Sequence, residues 1–420
     1  MTQTKTKFTF TEDWTVVALG FLIIILSLLG LIIQVPAVKW TDASELTEKV
    51  LALGNLLKFI YQFLLIFAIA ILGALLMRKS VKNLLIVVPA VYVLTIVALV
   101  IAGSSAMRAL NLEGVIFSLG IGLAISNFFK LPKWFVESLS TELFVKIGLV
   151  LLGTTVIFAD ILKAGSLGLI QALVVVLSVW YFAFWLCKKL KVDKELTMMI
   201  SSAVSICGVS AAIATSGAIK GDPKKLSYVI SMVLITAIPM MIFMPYIAHY
   251  FNFSEEVTGA WLGGSIDTTG AVVASGSLVG ETALKISTIV KFSQNVLLGI
   301  AAFAISVYWT YTQNPQAKEE GSKPTLKVIW ERFPKFVIGF VGASVLFSFF
   351  LSQEAIGAVK DSLKNLQGVW FALAFTSIGL ETKFSELFDK NSKKPFYAFV
   401  IAQLFNIVIT LVIAYFLFGS

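Results

Sequence analysis

Asp267 lies in GGSIDTTGAVVASG (263–276), a run of glycines and hydroxyl side chains set between apolar neighbours. An ionised carboxylate inside a bilayer is costly unless it faces a cavity or a partner. A carboxylate ringed by Ser265, Thr268 and Thr269 has the chemistry of a Na⁺ or proton site. A second run, SSAVSICGVSAAIATSGAIKGD (201–222), is of the same kind. With Ser205-Ile206 laid on Ser265-Ile266, both runs continue into small and polar residues, then Ala, then Ser-Gly. Close helix packing accounts for scattered Gly and Ala. It accounts poorly for clustered hydroxyls and for a buried Asp.

The chemistry expected of both runs is that of an interrupted helix. Glycines such as Gly208 let the chain leave helical geometry at low steric cost. The break then exposes N–H groups at the start of one half-helix and carbonyls at the end of the other. N–H ends attract anions, whereas carbonyls, hydroxyls and a carboxylate attract Na⁺ or H⁺. One region can hold an anionic solute and a coupling cation near the membrane midplane. Asp267 is the titratable charge in this reading, and Ser205, Cys207, Ser210, Thr268 and Thr269 are its polar lining. Lys291, in IVKFSQNVLLG with Gln294 and Asn295 close behind, either joins the site or snorkels to the interface. Cys207 also fits a plain space-filling role. Arg108, Asp160 and Glu381 lie near the ends of apolar segments and are expected at the interface.

The elements that must position these residues are membrane helices. The chain has 420 residues, of which 58% are apolar and 14% charged, and its mean hydropathy is +0.91. Soluble domains carry about 25% charged residues. Apolar segments fall at about 14–33, 56–77, 84–103, 114–129, 143–159, 168–187, 198–219, 226–247, 257–279, 286–312, 336–351, 366–381 and 396–418. A spanning helix needs roughly 20 apolar residues, so the fold expected is an all-α polytopic membrane protein of about 11–13 such segments.

The net charge of +9 is carried by short loops, as cytoplasmic anchors, and no nucleic-acid partner is implied. The basic loops 77–82, 188–194, 313–335 and 383–394 all fall on one side if the N-terminus is cytoplasmic and the C-terminus outside. KGDPKK (220–225) and HYFNFSEE (249–256) break the pattern if 198–219 and 257–279 cross the membrane. They obey it if both segments dip in and return. Two cysteines imply no disulfide framework, and one histidine gives no His-rich metal site. No HExxH or GxxxxGK[ST] motif and no Ser-His pair point to an enzyme, and no metal cofactor is expected.

LLGTTVIFADIL (151–162) matches SIGLETKFSELF (377–388), with Gly153 on Gly379, Phe158 on Phe384 and Asp160 on Glu386. The loop pattern gives the two copies opposite directions, as an inverted repeat requires. The organisation expected is N-terminal scaffold helices over 1–112, a core transport region over 113–312, a cytoplasmic loop over 313–335 and C-terminal helices over 336–420 completing the repeat. A homodimer is compatible with such a carrier.

Three motifs in order, SICGVSAAIA, GGSIDTTGAVVASG and STIVKFSQN, with SIGLETKFSEL near the C-terminus, resemble the YeiH-like family of bacterial inner-membrane proteins, described as sulfate exporters. The resemblance runs from about Glu113 to Trp309 and resumes at the C-terminal motif. It implies a secondary transporter for sulfate or another small oxyanion or organic acid, related to bile-acid/sodium symporters and auxin efflux carriers. It also implies that 198–219 crosses the membrane. Many members read Ser-Ile-His-Asp where this chain reads Ser265-Ile266-Asp267-Thr268, and carry Arg where it has Gln294. A change of coupling ion or substrate charge is expected from those departures.

Overall fold

A computed structural model describes residues 11–109, 114–312, 330–331, 333–382 and 393–419. Every element among them is helical: α1 Glu12–Leu28, α2 Leu53–Leu76, α3 Leu84–Ala102, α4 Gly114–Phe128, α5 Thr141–Leu152, α6 Phe158–Lys189, α7 Lys194–Ser202, α8 Val209–Ile219, α9 Pro223–Tyr250, α10 Glu255–Ser265, α11 Thr269–Val279, α12 Glu281–Thr312, α13 Phe336–Val345, α14 Gln353–Glu381 and α15 Lys393–Phe418, besides short turns. Among the described residues, α2, α3, α6, α9, α12 and α15 are each long and apolar enough to span a bilayer, and shorter apolar helices accompany them. The chain is an all-α polytopic membrane protein.

It divides into two units. The first comprises residues 1–158 and 335–383, the second 159–334 and 384–420. The chain thus passes from the first unit to the second at 158/159 and again at 383/384. These are the positions of Phe158 and Phe384, matched in the two copies of the sequence repeat. Phe384 and Glu386 themselves lie outside the described residues.

In the first unit α14 packs against α4 and α5. Gly122 of α4 and Gly379 of α14 bring two backbones into contact: a Cβ at Gly379 would lie 2.5 Å from the Leu119 carbonyl oxygen. Beside this crossing, Ser126 Oγ donates to the carbonyls of Gly379 (2.9 Å) and Thr382 (2.7 Å) at the end of α14, where helical carbonyls run out of N–H partners. Glu381 accepts from Thr141 Oγ1 at 2.6 Å. At the other copy of the repeat, a Cβ at Gly153 would meet the Phe340 carbonyl oxygen, and Ser344 Oγ donates to the Val156 carbonyl. Both copies therefore end a helix against the backbone of a neighbour, with a serine on carbonyls at that end.

The second unit holds both interrupted segments. α7 leads through a π-helical turn (Ala203–Cys207) and Gly208 into α8. Were this a crossing, its two ends would be separated by the membrane thickness, about 30 Å. They are instead hydrogen-bonded: Glu195 Oε2 accepts from the Asp222 N–H at 3.0 Å, and Lys225 Nζ donates to Asp193 Oδ1 at 2.7 Å. Burial opposes the Asp193 charge, but Lys225 and the N–H groups of Leu196 and Glu195 outweigh it and hold the carboxyl below its usual range. A depressed carboxyl pKa stabilises the fold at neutral pH, so this corner weakens only in acid. The second segment closes in the same way. Glu255 Oε2 accepts from the N–H groups of Thr282 (3.0 Å) and Ala283 (3.2 Å), just beyond the end of α11.

Both segments are therefore re-entrant hairpins, and the crossing implied by the family resemblance for 198–219 is corrected. The physical reason is length. Arms of 11 residues rise about 16 Å, half the hydrocarbon core. Their mouths lie at opposite ends of α9, whose 28 residues rise about 42 Å. α6 runs toward the mouth of hairpin 1, ending five residues before Lys194. α15 runs toward the mouth of hairpin 2, where a Cβ at Gly419 would lie 3.6 Å from Val257. The helices that follow the two copies of the repeat are thus opposed, as the inverted repeat requires.

Two experiments test this description. In a Cys187→Ser, Cys207→Ser background, Lys189→Cys and Lys224→Cys are expected to react with a membrane-impermeant maleimide from the same face. Glu256→Cys and Thr282→Cys are expected to react from the other face. A crossing segment would split either pair. Gly379→Val is expected to lower the thermal midpoint in detergent by at least the equivalent of about 2 kcal/mol, through overpacking against backbone. Gly120→Ala on α4, with nothing within 4 Å of the added Cβ, leaves it unchanged.

Candidate functional site

The hairpin tips meet each other, and their geometry explains why Gly208 is glycine. Its φ of +60° and ψ of −113° suit no L side chain, and a Cβ there would lie 2.9 Å from Asp267 Cβ and 2.7 Å from Val233 Cγ1. The same residue therefore breaks the helix and lets the other tip approach.

Lys291 stands at this junction. It lies ten residues into α12, is 1% exposed, and does not snorkel. Its Nζ donates to the Ile206 carbonyl (3.0 Å), the Ile266 carbonyl (2.8 Å) and Gln294 Oε1 (3.0 Å). Ile206 closes the first arm of hairpin 1 and Ile266 is the C-cap of α10. Both carbonyls sit at the negative end of a helix dipole, where a cation is favoured. The two tips are equivalent. Ile206 and Ile266, Glu195 and Glu255, and the N–H donors of Asp222 and Thr282 all correspond at one constant spacing, the spacing that superposes Ser205-Ile206 on Ser265-Ile266.

Uncharged amides complete the junction. Asn406 Nδ2 donates to the carbonyls of Val204 (3.0 Å) and Ser265 (3.2 Å), tying one tip to the other. Gln403 Nε2 donates to the Ser265 carbonyl at 2.8 Å, Gln294 Nε2 to the Gly264 carbonyl at 2.9 Å, and Gln171 Nε2 to the Ala260 carbonyl at 2.7 Å. Asn406, Gln403 and Gln294 satisfy backbone carbonyls that the helix breaks would strand in an apolar medium, and Gln171 adds a bond to a carbonyl within α10. Sequence reasoning passed over Gln171, Gln403 and Asn406. Their signal was there to be read: Gln403, Asn406 and Thr410 line one face of an otherwise apolar helix.

The residues singled out from sequence fall into several settings. Asp267 is 2% exposed, lies between the tips within electrostatic reach of Lys291, and its Oδ2 has no hydrogen-bond partner. Ser265 Oγ, Asn295 Oδ1 and Gln403 Oε1 are likewise buried without partners. Thr268 Oγ1 caps α11 by accepting from the Ala271 N–H, and Thr269 Oγ1 accepts from Asn295 Nδ2 at 3.3 Å. Ser205 Oγ turns back to the Ser201 carbonyl (2.7 Å), away from the junction. Cys207 packs with Ala172, Val176 and Ala211 in an apolar cluster. Ser210 is exposed, and Val209, Thr268 and Thr269 are half-buried. The junction is therefore sealed where helix C-termini converge on Lys291. It is accessible where α8 and α11 begin, and there the dipoles favour an anion.

The residues 84–398 match the family model described as conserved hypothetical protein 698. The chain belongs to this YeiH-like family of membrane proteins. It is 40% identical over 366 residues to UPF0324 membrane protein RB9488 of Rhodopirellula baltica, covering 85% of this chain and 67% of that protein. A UPF0324 membrane protein of Nitratidesulfovibrio vulgaris is 37% identical over 82% of this chain, which spans 61% of that relative's length. NE0724 of Nitrosomonas europaea, of the same description, is 30% identical over 68% of this chain and 65% of its own. No solved structure matches.

Asn406→Leu removes the donor shared by both tips and strands the buried Val204 carbonyl, while the Ser265 carbonyl keeps its bond from Gln403. An unsatisfied buried carbonyl costs about 1–3 kcal/mol, so a clear fall in the thermal midpoint of the purified protein is expected. Ser205→Ala, which removes only a bond within the helix, is expected to leave it nearly unchanged.

Proposed function

We propose that this YeiH-like protein is a secondary active transporter of a small anion, such as sulfate or another small oxyanion or organic acid, coupled to Na⁺ or H⁺. One observation carries the reading. Two half-membrane hairpins enter from opposite ends of the second unit and meet at a buried cation, with helix N-termini and hydroxyls on the accessible side. Such a junction supplies donors for an anion and a titratable centre beside it at mid-depth. Ser210, Thr268 and Thr269 would face the solute, and Asp267, Lys291 and Asn295 would form the coupling centre. Neither an enzyme nor a channel is needed to account for it.

The membrane orientation follows the basic residues. Hairpin 1 has KKLKVDK and KGDPKK at its mouth and opens to the cytoplasm; hairpin 2, with HYFNFSEE, opens outside. This gives a cytoplasmic N-terminus and an external C-terminus in a bacterial inner membrane.

Proteoliposome assays with sulfate, sulfite and small carboxylates test the reading. Saturable counterflow by the wild-type protein is expected, and its absence with ungated flux would indicate a channel. Asp267→Asn is expected to cut cation-driven uptake by at least ~10-fold, about 1.4 kcal/mol in the barrier. Unchanged uptake and ion dependence would remove Asp267 from the coupling centre.

A further inference from the structure

The Lys291 contacts carry a more specific statement about the junction, resting on the reading of that junction as the coupling centre. Three oxygens surround Nζ at 2.8–3.0 Å, and all three are acceptors: two backbone carbonyls and Gln294 Oε1, whose amide nitrogen is turned to the Gly264 carbonyl. An ammonium has three protons and no lone pair, so it satisfies all three oxygens. A neutral amine has two protons and a lone pair, and would leave one carbonyl facing that lone pair. The geometry is that of the charged form. It is also that of a small cation among oxygen ligands, because helix-end carbonyls at a broken helix are the groups that coordinate Na⁺.

We propose that Lys291 is the protein's built-in cation at the hairpin junction, so that the tips are released by loss of a proton from Lys291 rather than by loss of Na⁺. With the proton bound, one ammonium joins the ends of both hairpins. When it leaves to water, the nitrogen keeps the electron pair, one of the three bonds is lost, and the Ile206 and Ile266 carbonyls are no longer drawn to a shared charge. Titratable groups facing Lys291 are Asp267 from hairpin 2 and Cys207 from hairpin 1. Among the described residues, α6 and α15 bring to the tips neutral groups, the amides of Gln171, Gln403 and Asn406 and the hydroxyl of Thr410. Asp267 is therefore the counter-ion of the ammonium. The three protons of Lys291 are all given to oxygens other than this carboxylate, which leaves Asp267 Oδ2 buried without a hydrogen-bond partner.

The test needs no transported solute and uses the full chain in detergent. Hydrogen exchange of tip peptides covering 203–211 and 264–271, corrected for intrinsic rates, reports release of the junction. Between about pH 7 and about pH 9.5, wild-type protection is expected to fall at least ~10-fold further than that of Lys291→Arg, which keeps its charge. Replacing KCl by NaCl is expected to leave the wild-type thermal midpoint unchanged. It is expected to raise that of Lys291→Ala, whose vacated oxygens accept the ion. Stabilisation of the wild-type protein by Na⁺ would overturn the proposal, a result that needs no variant to fold. Equal pH dependence of tip protection in wild type and Lys291→Arg would overturn it as well. Either outcome stands apart from a failure of anion transport in proteoliposomes, which would sink the functional reading while leaving the junction as described.

Discussion

A buried ammonium among helix-end carbonyls is the interaction on which the rest of the hairpin unit depends. Moving a lysine charge out of water costs several kcal/mol, and ending helices in mid-membrane leaves carbonyls that lipid cannot solvate. Lys291 makes each problem the solution of the other. Its three protons meet three oxygens, two of them at the ends of helices whose dipoles favour positive charge there. Remove the lysine and two helix ends face one another with like partial charge. Remove the breaks and the ammonium has nothing to bind.

The surrounding chemistry follows from that pairing. The tips must approach within bonding distance of one nitrogen, so Gly208 lies against Asp267 with no room for a Cβ. The carbonyls of Val204, Gly264 and Ser265, beyond the reach of Nζ, are met by amide side chains rather than by further charges. Amides donate strongly at a fraction of the desolvation cost of an ion. Gln294 illustrates the constraint, since it both accepts from Lys291 and donates to Gly264. An arginine in place of Gln294 would offer no acceptor.

Much of this was legible in the residues. Asp267, clustered hydroxyls and the likeness of 201–222 to 262–276 marked the two interrupted segments, because charge and broken helix are costly in lipid wherever they occur. The basic loops already conflicted with a crossing at 198–219, and re-entrance was the reading that removed the conflict. Less legible was which side chains face the junction. Ser205 carries the right chemistry, but its hydroxyl turns back to Ser201; Gln403 and Asn406 read as polar interruptions in an apolar helix and prove central. Helical periodicity says which residues share a face, not what that face meets.

The division between the two levels has a physical cause. Sequence alone determined the solvent, the helical class, the two weak points where the chain leaves helical geometry and the opposed copies of the repeat, because these depend on hydropathy, charge and local backbone preference. Tertiary structure alone decided that both weak points are hairpin tips, that they meet, and that Lys291 rather than Asp267 holds them together. Those facts rest on contacts between segments far apart in the chain, from Glu195 closing on Asp222 to Asn406 reaching Val204. No local preference encodes which distant carbonyl a buried donor will find.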